Sequence, residues 1–138
     1  MKRTLAIFFF LCPAFLAAAQ DPLTTRPGTS AGQGKYIVDQ VAMCAECHTP
    51  RDSNGRLRRA EYLKGAPVPV KAPPYSQMKW ALKAPAIAGL PGYSREQAIR
   101  LLMEGITADG RTPDPPMPRF RFTRSDAEAV VAYLKSLQ

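Results

Sequence analysis

Fourteen of the 138 residues are proline, and their placement limits what this chain can fold into. Pro67, Pro69, Pro73, Pro74, Pro85 and Pro91 crowd the stretch from Gly65 to Gly92. Each fixes φ and lacks an N–H, so neither a long helix nor a central strand runs through it. Pro113, Pro115, Pro116 and Pro118 make residues 106–122 irregular as well. So much loop inside one small domain is unusual unless it wraps something functional.

Around these loops the sequence predicts three or four short helices. Residues 34–43 form an amphipathic helix with Tyr36, Ile37, Val41 and Ala42 on its apolar face, and it runs directly into Cys44. Thr49 to Leu63 is polar and basic, with turn chemistry at Asp52-Ser53-Asn54-Gly55. Ser94 caps a second long helix, with Gln97 at the capping-box spacing. Ala98, Ile99, Leu102 and Met103 line its face, and Gly105 ends it. A closing helix starts at Thr123, with Asp126 at the capping-box position. Its buried stripe is Ala127, Val130, Val131, Leu134 and Leu137. The fold class is therefore all-α, with too few apolar residues in the helices to make a core of their own.

The first residues read as an export signal. Lys2 and Arg3 precede an apolar run from Leu5 to Ala18, and Ala17-Ala18-Ala19 offers the small residues of a cleavage site. The run is shorter than the ~20 residues of a bilayer span. Residues 1–19 are therefore expected to leave before Gln20, which places the mature protein in the periplasm. Residues 20–33, rich in Pro, Thr, Gly and Ser, read as a flexible N-terminal segment, and 34–138 as the folded domain. Cleavage lowers the formal charge from +8 to +6. That excess suits docking on an acidic protein face. Nucleic acid is a poor partner for an exported chain, and membrane association is expected only through a partner.

Cysteine arithmetic then becomes decisive. Cys12 departs with the signal, and Cys44-Ala45-Glu46-Cys47-His48 remains. This C-x-x-C-H run is the pattern of covalent haem attachment. Two thiols one helical turn apart reach neighbouring vinyl groups, and the following imidazole can ligate the iron. A thioredoxin-like pair would want a βαβ setting, which the loops do not offer. Structural zinc would want four ligands, but His48 is the only histidine and no further cysteine survives. A plain disulfide leaves the adjacent His48 and the thin core without a role. The expected cofactor is one haem c per chain.

With one histidine, a second protein ligand to iron falls to methionine. Met43 abuts Cys44 on the His48 side, and Met103 reads as core. Met78, beside Trp80 in the proline-rich loop, is the rival. Met117 is favoured, because Pro115, Pro116 and Pro118 hold its backbone stiff and extended.

The sequence resembles a class I cytochrome c across most of residues 34–138. The resemblance rests on Gly34-Lys35-Tyr36, the Cys44–His48 run, Pro85-Ala86-Ile87-Ala88-Gly89-Leu90, Pro116-Met117-Pro118 and Tyr133-Leu134. It implies a cytochrome c fold, with long loops around one covalent haem and a crossing of the first and last helices near Gly34 and Tyr133. It also implies His48 and Met117 as the axial ligands, and a Pro85 carbonyl that orients the imidazole. Residues 49–84 are longer and more basic than in the smallest relatives. Trp80, Tyr75 and Arg56 are the candidates there for contact with the haem propionates.

The function expected is single-electron transfer without catalysis, as a soluble carrier or as the small cytochrome subunit of a dehydrogenase or oxidase. Partners would be redox proteins, and no small-molecule substrate is expected. The alternative is a haem enzyme or gas sensor with an open distal site.

Overall fold

A glycine lets the two ends of the domain touch backbone to backbone. The computed structural model describes residues 31–137. The expected signal at 1–19, and the part of the N-terminal segment before Ala31, lie outside the described residues. Helix α1 (Ala31–Tyr36) packs on helix α4 (Arg124–Ser136) at Gly34. A Cβ on Gly34 would sit 2.0 Å from the Ala129 carbonyl oxygen and 2.8 Å from Tyr133 Cβ, so a larger residue forces the helices apart. The helix crossing implied by Gly34 and Tyr133 is thus present, and Ala129 shares it. The helix opens at Ala31, ahead of the boundary expected at Gly34. Packing on α4 supplies the stability that local composition lacks in so short a helix.

The first helical face differs from the amphipathic pattern read from sequence. Ile37–Val41 form a wide π turn, and Ala42 N donates to Ile37 O at 2.7 Å, five residues back. The extra residue per turn shifts the phase of the face. Ile37 and Val38 point inward, while Tyr36 and Val41 are more than half exposed. Nor does the helix run unbroken into Cys44. Met43 takes a left-handed φ of 48°, after which the short helix α2 (Ala45–His48) begins.

Helices α3 (Arg95–Glu104) and α4 follow the sequence closely. Ser94 Oγ accepts from Gln97 N, and the Gln97 side chain accepts from Ser94 N at 2.9 Å. Gly105 ends α3 with a φ of 70°, and Thr123 caps α4 by accepting from Asp126 N. Ala98, Ile99 and Leu102 of α3 meet Val130, Val131 and Leu134 of α4 in the core. The fully buried side chains of any size are few, namely Leu63, Ile99, Val38, Val131 and Thr49. At about 2 kcal/mol for each large apolar side chain, this is a modest core.

The proline-rich stretch is ordered by anchors rather than by regular elements. Strands β1 (Ala66–Pro67) and β2 (Lys83–Ala84) pair antiparallel over two residues each, with Ala66 opposite Ala84. Leu63 N donates to Thr49 Oγ1 at 2.9 Å, and Leu63 O accepts from Ile87 N at 2.9 Å. Gly89 N then donates to Leu134 O at 2.8 Å, which ties the loop's exit to α4. Asp39 joins the first turns to this loop. It pairs with Lys35 and accepts from the Tyr62 hydroxyl.

Two substitutions test these joints. Gly34→Ala is expected to cost about 3 kcal/mol or more in urea unfolding, because backbone must move to admit the methyl. Burial by itself raises the Asp39 pKa, but the bonds from Lys35 and Tyr62 outweigh it, so the carboxyl lies below its ordinary value. That stability is present above the unfolded pKa of ~3.9 and lost as pH falls through the lower folded value. Asp39→Asn should cost about 1 kcal/mol at pH 7 after allowing for solvent screening. Its deficit relative to wild type should shrink as pH falls below the unfolded pKa of ~3.9.

Candidate cofactor site

Helix α2 is one turn long, and that length sets what it can present. Cys44 caps it, Cys47 lies in it and His48 closes it. All three line a mostly apolar cavity of about 420 Å³, a size within the usual range of cofactor pockets. Cys44 and Cys47 are not joined to each other in a disulfide, and each is half-buried on the cavity wall. Burial pushes the Cys44 thiol up to about 11, so it stands protonated at neutral pH.

His48 is buried, with 6% of its surface exposed. Its Nδ1 lies 2.7 Å from the Pro85 carbonyl oxygen. A carbonyl can only accept, so Nδ1 carries the proton. Burial lowers the imidazole pKa while the Pro85 bond raises it, and the net shift is downward. The neutral ring then keeps its lone pair on Nε2, the form in which an imidazole ligates iron. The backbone fixes His48 as well, since its carbonyl accepts from Gly65 N at 2.8 Å. Gly65 has a φ of 88°, and a Cβ there would meet Ala86 N at 2.9 Å.

The rest of the wall comes from distant parts of the chain. Pro85, Ile87 and Leu90 follow β2, Ala98, Leu101 and Leu102 come from α3, and Leu134 from α4. The second proline cluster brings Pro116, Met117 and Pro118 to the same cavity. Met78 is not among the lining residues and is 64% exposed. Met103 packs on the core, and Met43 lines the cavity beside Cys44.

The candidate propionate contacts fare differently. Arg56, Tyr75 and Trp80 do not line the cavity. Trp80 spends its indole N–H on Val70 O at 3.2 Å, and Tyr75 is 84% exposed. The polar lining residues are instead Lys83, Thr107, Arg111, Thr112 and Asp114. Hydrogen bonds from Thr107 and then Arg111 hold Asp109 down to about 2, so Arg111 faces the cavity already paired. Lys83 and Thr107 carry no local pattern, and only the fold brings them to the cavity.

The donor set and the wall suit haem. Two thiols and a neutral imidazole share one short helix, and apolar side chains from α3, α4 and the proline-rich loops surround them. Among the described residues, no three His, Cys, Asp or Glu side chains converge on a point where another metal could bind.

The cytochrome c family model matches residues 31–138. The chain is similar to the fructose dehydrogenase cytochrome subunit of Gluconobacter japonicus, with 31% identity over 115 residues, covering 76% of this chain and 21% of that protein. It is also similar to a diheme cytochrome c-type protein of Cereibacter sphaeroides, with 29% identity over 108 residues, 75% of this chain and 34% of that protein. The chain thus spans only a minor part of the length of these curated relatives. The family match begins where α1 begins and takes in every wall of the cavity. The chain belongs to the cytochrome c family, whose domains hold haem c covalently and carry electrons rather than catalyse reactions.

Proposed function

We propose that this chain is an exported protein that transfers single electrons in the periplasm, with one haem c held by Cys44 and Cys47 and ligated by His48 and Met117. The observation that carries this reading is the gathering of those four residues on one apolar cavity, with Met78 left outside it. When bound, the haem supplies a one-electron ferric/ferrous couple. The chain's own residues do the rest. Cys44 and Cys47 are the attachment thiols. His48 offers Nε2 while Pro85 O holds Nδ1–H and raises the ring's basicity. The thioether of Met117 is a soft, neutral donor that favours the ferrous state and raises the potential. Ile87, Leu90, Leu101 and Leu102 keep water from the site. With His48 and Met117 both engaged by the iron, the chain would leave no site there for a small substrate.

The similarity to a dehydrogenase's cytochrome subunit supports a role beside a dehydrogenase, as a free carrier or a small subunit. The formal charge of +6 left after cleavage supports redox partners with an acidic contact face. The basic n-region and apolar run at the N-terminus support export, with cleavage before Gln20 and membrane association only through a partner.

Visible and near-infrared spectra of the purified protein test the ligands. The ferric form should be low-spin with a sulfur-to-iron charge-transfer band. Met117→Ala should keep the covalent haem, lose that band and bind cyanide readily. Its potential should fall by a sizeable part of the roughly 0.8 V that axial ligation spans. Met78→Ala should leave the spectrum unchanged, and His48→Ala should abolish the low-spin state. A Met117→Ala spectrum identical to wild type would assign the sixth position to another group. A wild type that is already high-spin would favour the open-site enzyme or sensor. The mass of the mature chain reads the haem number and the N-terminus together.

A further inference from the structure

The domain's charge is not spread evenly. Residues 49–84 carry eight lysines and arginines against Asp52 and Glu61, whereas 31–48 and 85–137 balance at eight against eight. All the net positive charge of the described residues therefore lies in one stretch. The same stretch exposes apolar side chains. Among the described residues, four of the seven exposed large hydrophobics are Val70, Tyr75, Met78 and Leu82. Tyr75 and Leu82 are each 84% exposed.

This loop is also fixed in place. Val68 N donates to Leu82 O at 3.0 Å, and Trp80 Nε1 to Val70 O at 3.2 Å, which closes the loop on itself. Ala81 N donates to Pro115 O at 2.7 Å, and Lys79 pairs with Asp114 at 3.0 Å. Both contacts join it to the segment that carries Met117. Val68, Ala81 and Lys83 line the cofactor cavity from the loop's inner side. The loop is thus part of the cavity wall.

We propose that loop 68–83 is the seat of an electron-exchanging protein whose contact face is apolar at its centre and acidic at its rim. This rests on the electron-carrier reading above. Tyr75, Met78 and Leu82 supply the area that a partner desolvates, and Lys71 and Lys79 supply the field that steers and orients it. In the exchange one electron leaves the reduced partner and one electron reduces ferric to ferrous haem, or the reverse. No bond forms and no proton moves. An anionic lipid surface also attracts basic and aromatic loops. It would gain nothing from a seat beside the cofactor, so a protein partner is favoured.

The test uses the full haem-loaded protein, reduced and labelled with nitrogen-15, and an acidic flavodoxin as the probe. At low ionic strength the amide shifts should concentrate in residues 70–83. Lys71→Glu should weaken binding about tenfold and flatten its salt dependence. The double variant Tyr75→Ser/Leu82→Ser should weaken it about fivefold with the salt dependence intact. Lys135→Glu, the same charge change outside the stretch, should cost less than about twofold. A footprint on α3 and α4, no footprint at all, or an equal loss with Lys135→Glu overturns the proposal. So does tighter binding to phosphatidylglycerol vesicles than to the flavodoxin. The spectra of the same samples report the axial ligands separately, so failure of the docking surface is distinguishable from failure of the His48/Met117 assignment.

Discussion

The hydrogen bond from the His48 imidazole to the Pro85 carbonyl joins parts of the chain 37 residues apart, and much of the domain is arranged to hold it. On one side, α2 fixes the position of the ring along the backbone. On the other, Pro85 directly follows β2, whose two-residue pairing with β1 sets where its carbonyl points. Leu63 serves both sides, since its N–H reaches Thr49 beside His48 while its C=O takes Ile87 N beyond Pro85. The loop is thus a bracket around one imidazole. This accounts for an ordered proline-rich stretch with so little regular structure.

The thinness of the core has the same origin. The side chains of α3 that face α4 are buried in the ordinary way, but Leu102 of α3 and Leu134 of α4 also border the cavity. These residues have two apolar neighbours to serve, the opposing helix and the cofactor. A domain of this size would otherwise be marginal. Haem and fold stabilise each other, and the close approach at Gly34 brings α1 and α4 together behind the site.

The differences from the sequence reading are local and have physical causes. The face of the first helix moved because a π turn changes the angular step per residue, which no period-3.6 pattern anticipates. The break at Met43 follows from the need to aim Cys44 into the cavity. Trp80, Tyr75 and Arg56, the candidates for contact with the propionates, do not line the cavity. The loop instead closes on itself through Trp80 and leaves Tyr75 outside.

The sequence alone determined the helices with strong caps, the attachment run and the class of cofactor. Capping boxes and a C-x-x-C-H run are local chemistry, set by spacings of a few residues. Gly34 and Tyr133 were legible through a family resemblance, though not through any local rule. Tertiary structure alone decided that Met117, and not Met78, reaches the cavity that His48 lines, which polar residues border it, and that part of the basic stretch folds into a loop beside it. Those outcomes depend on contacts between segments far apart in the chain. The reach of a proline-rich loop is set by where its ends are anchored, and its own composition does not specify that.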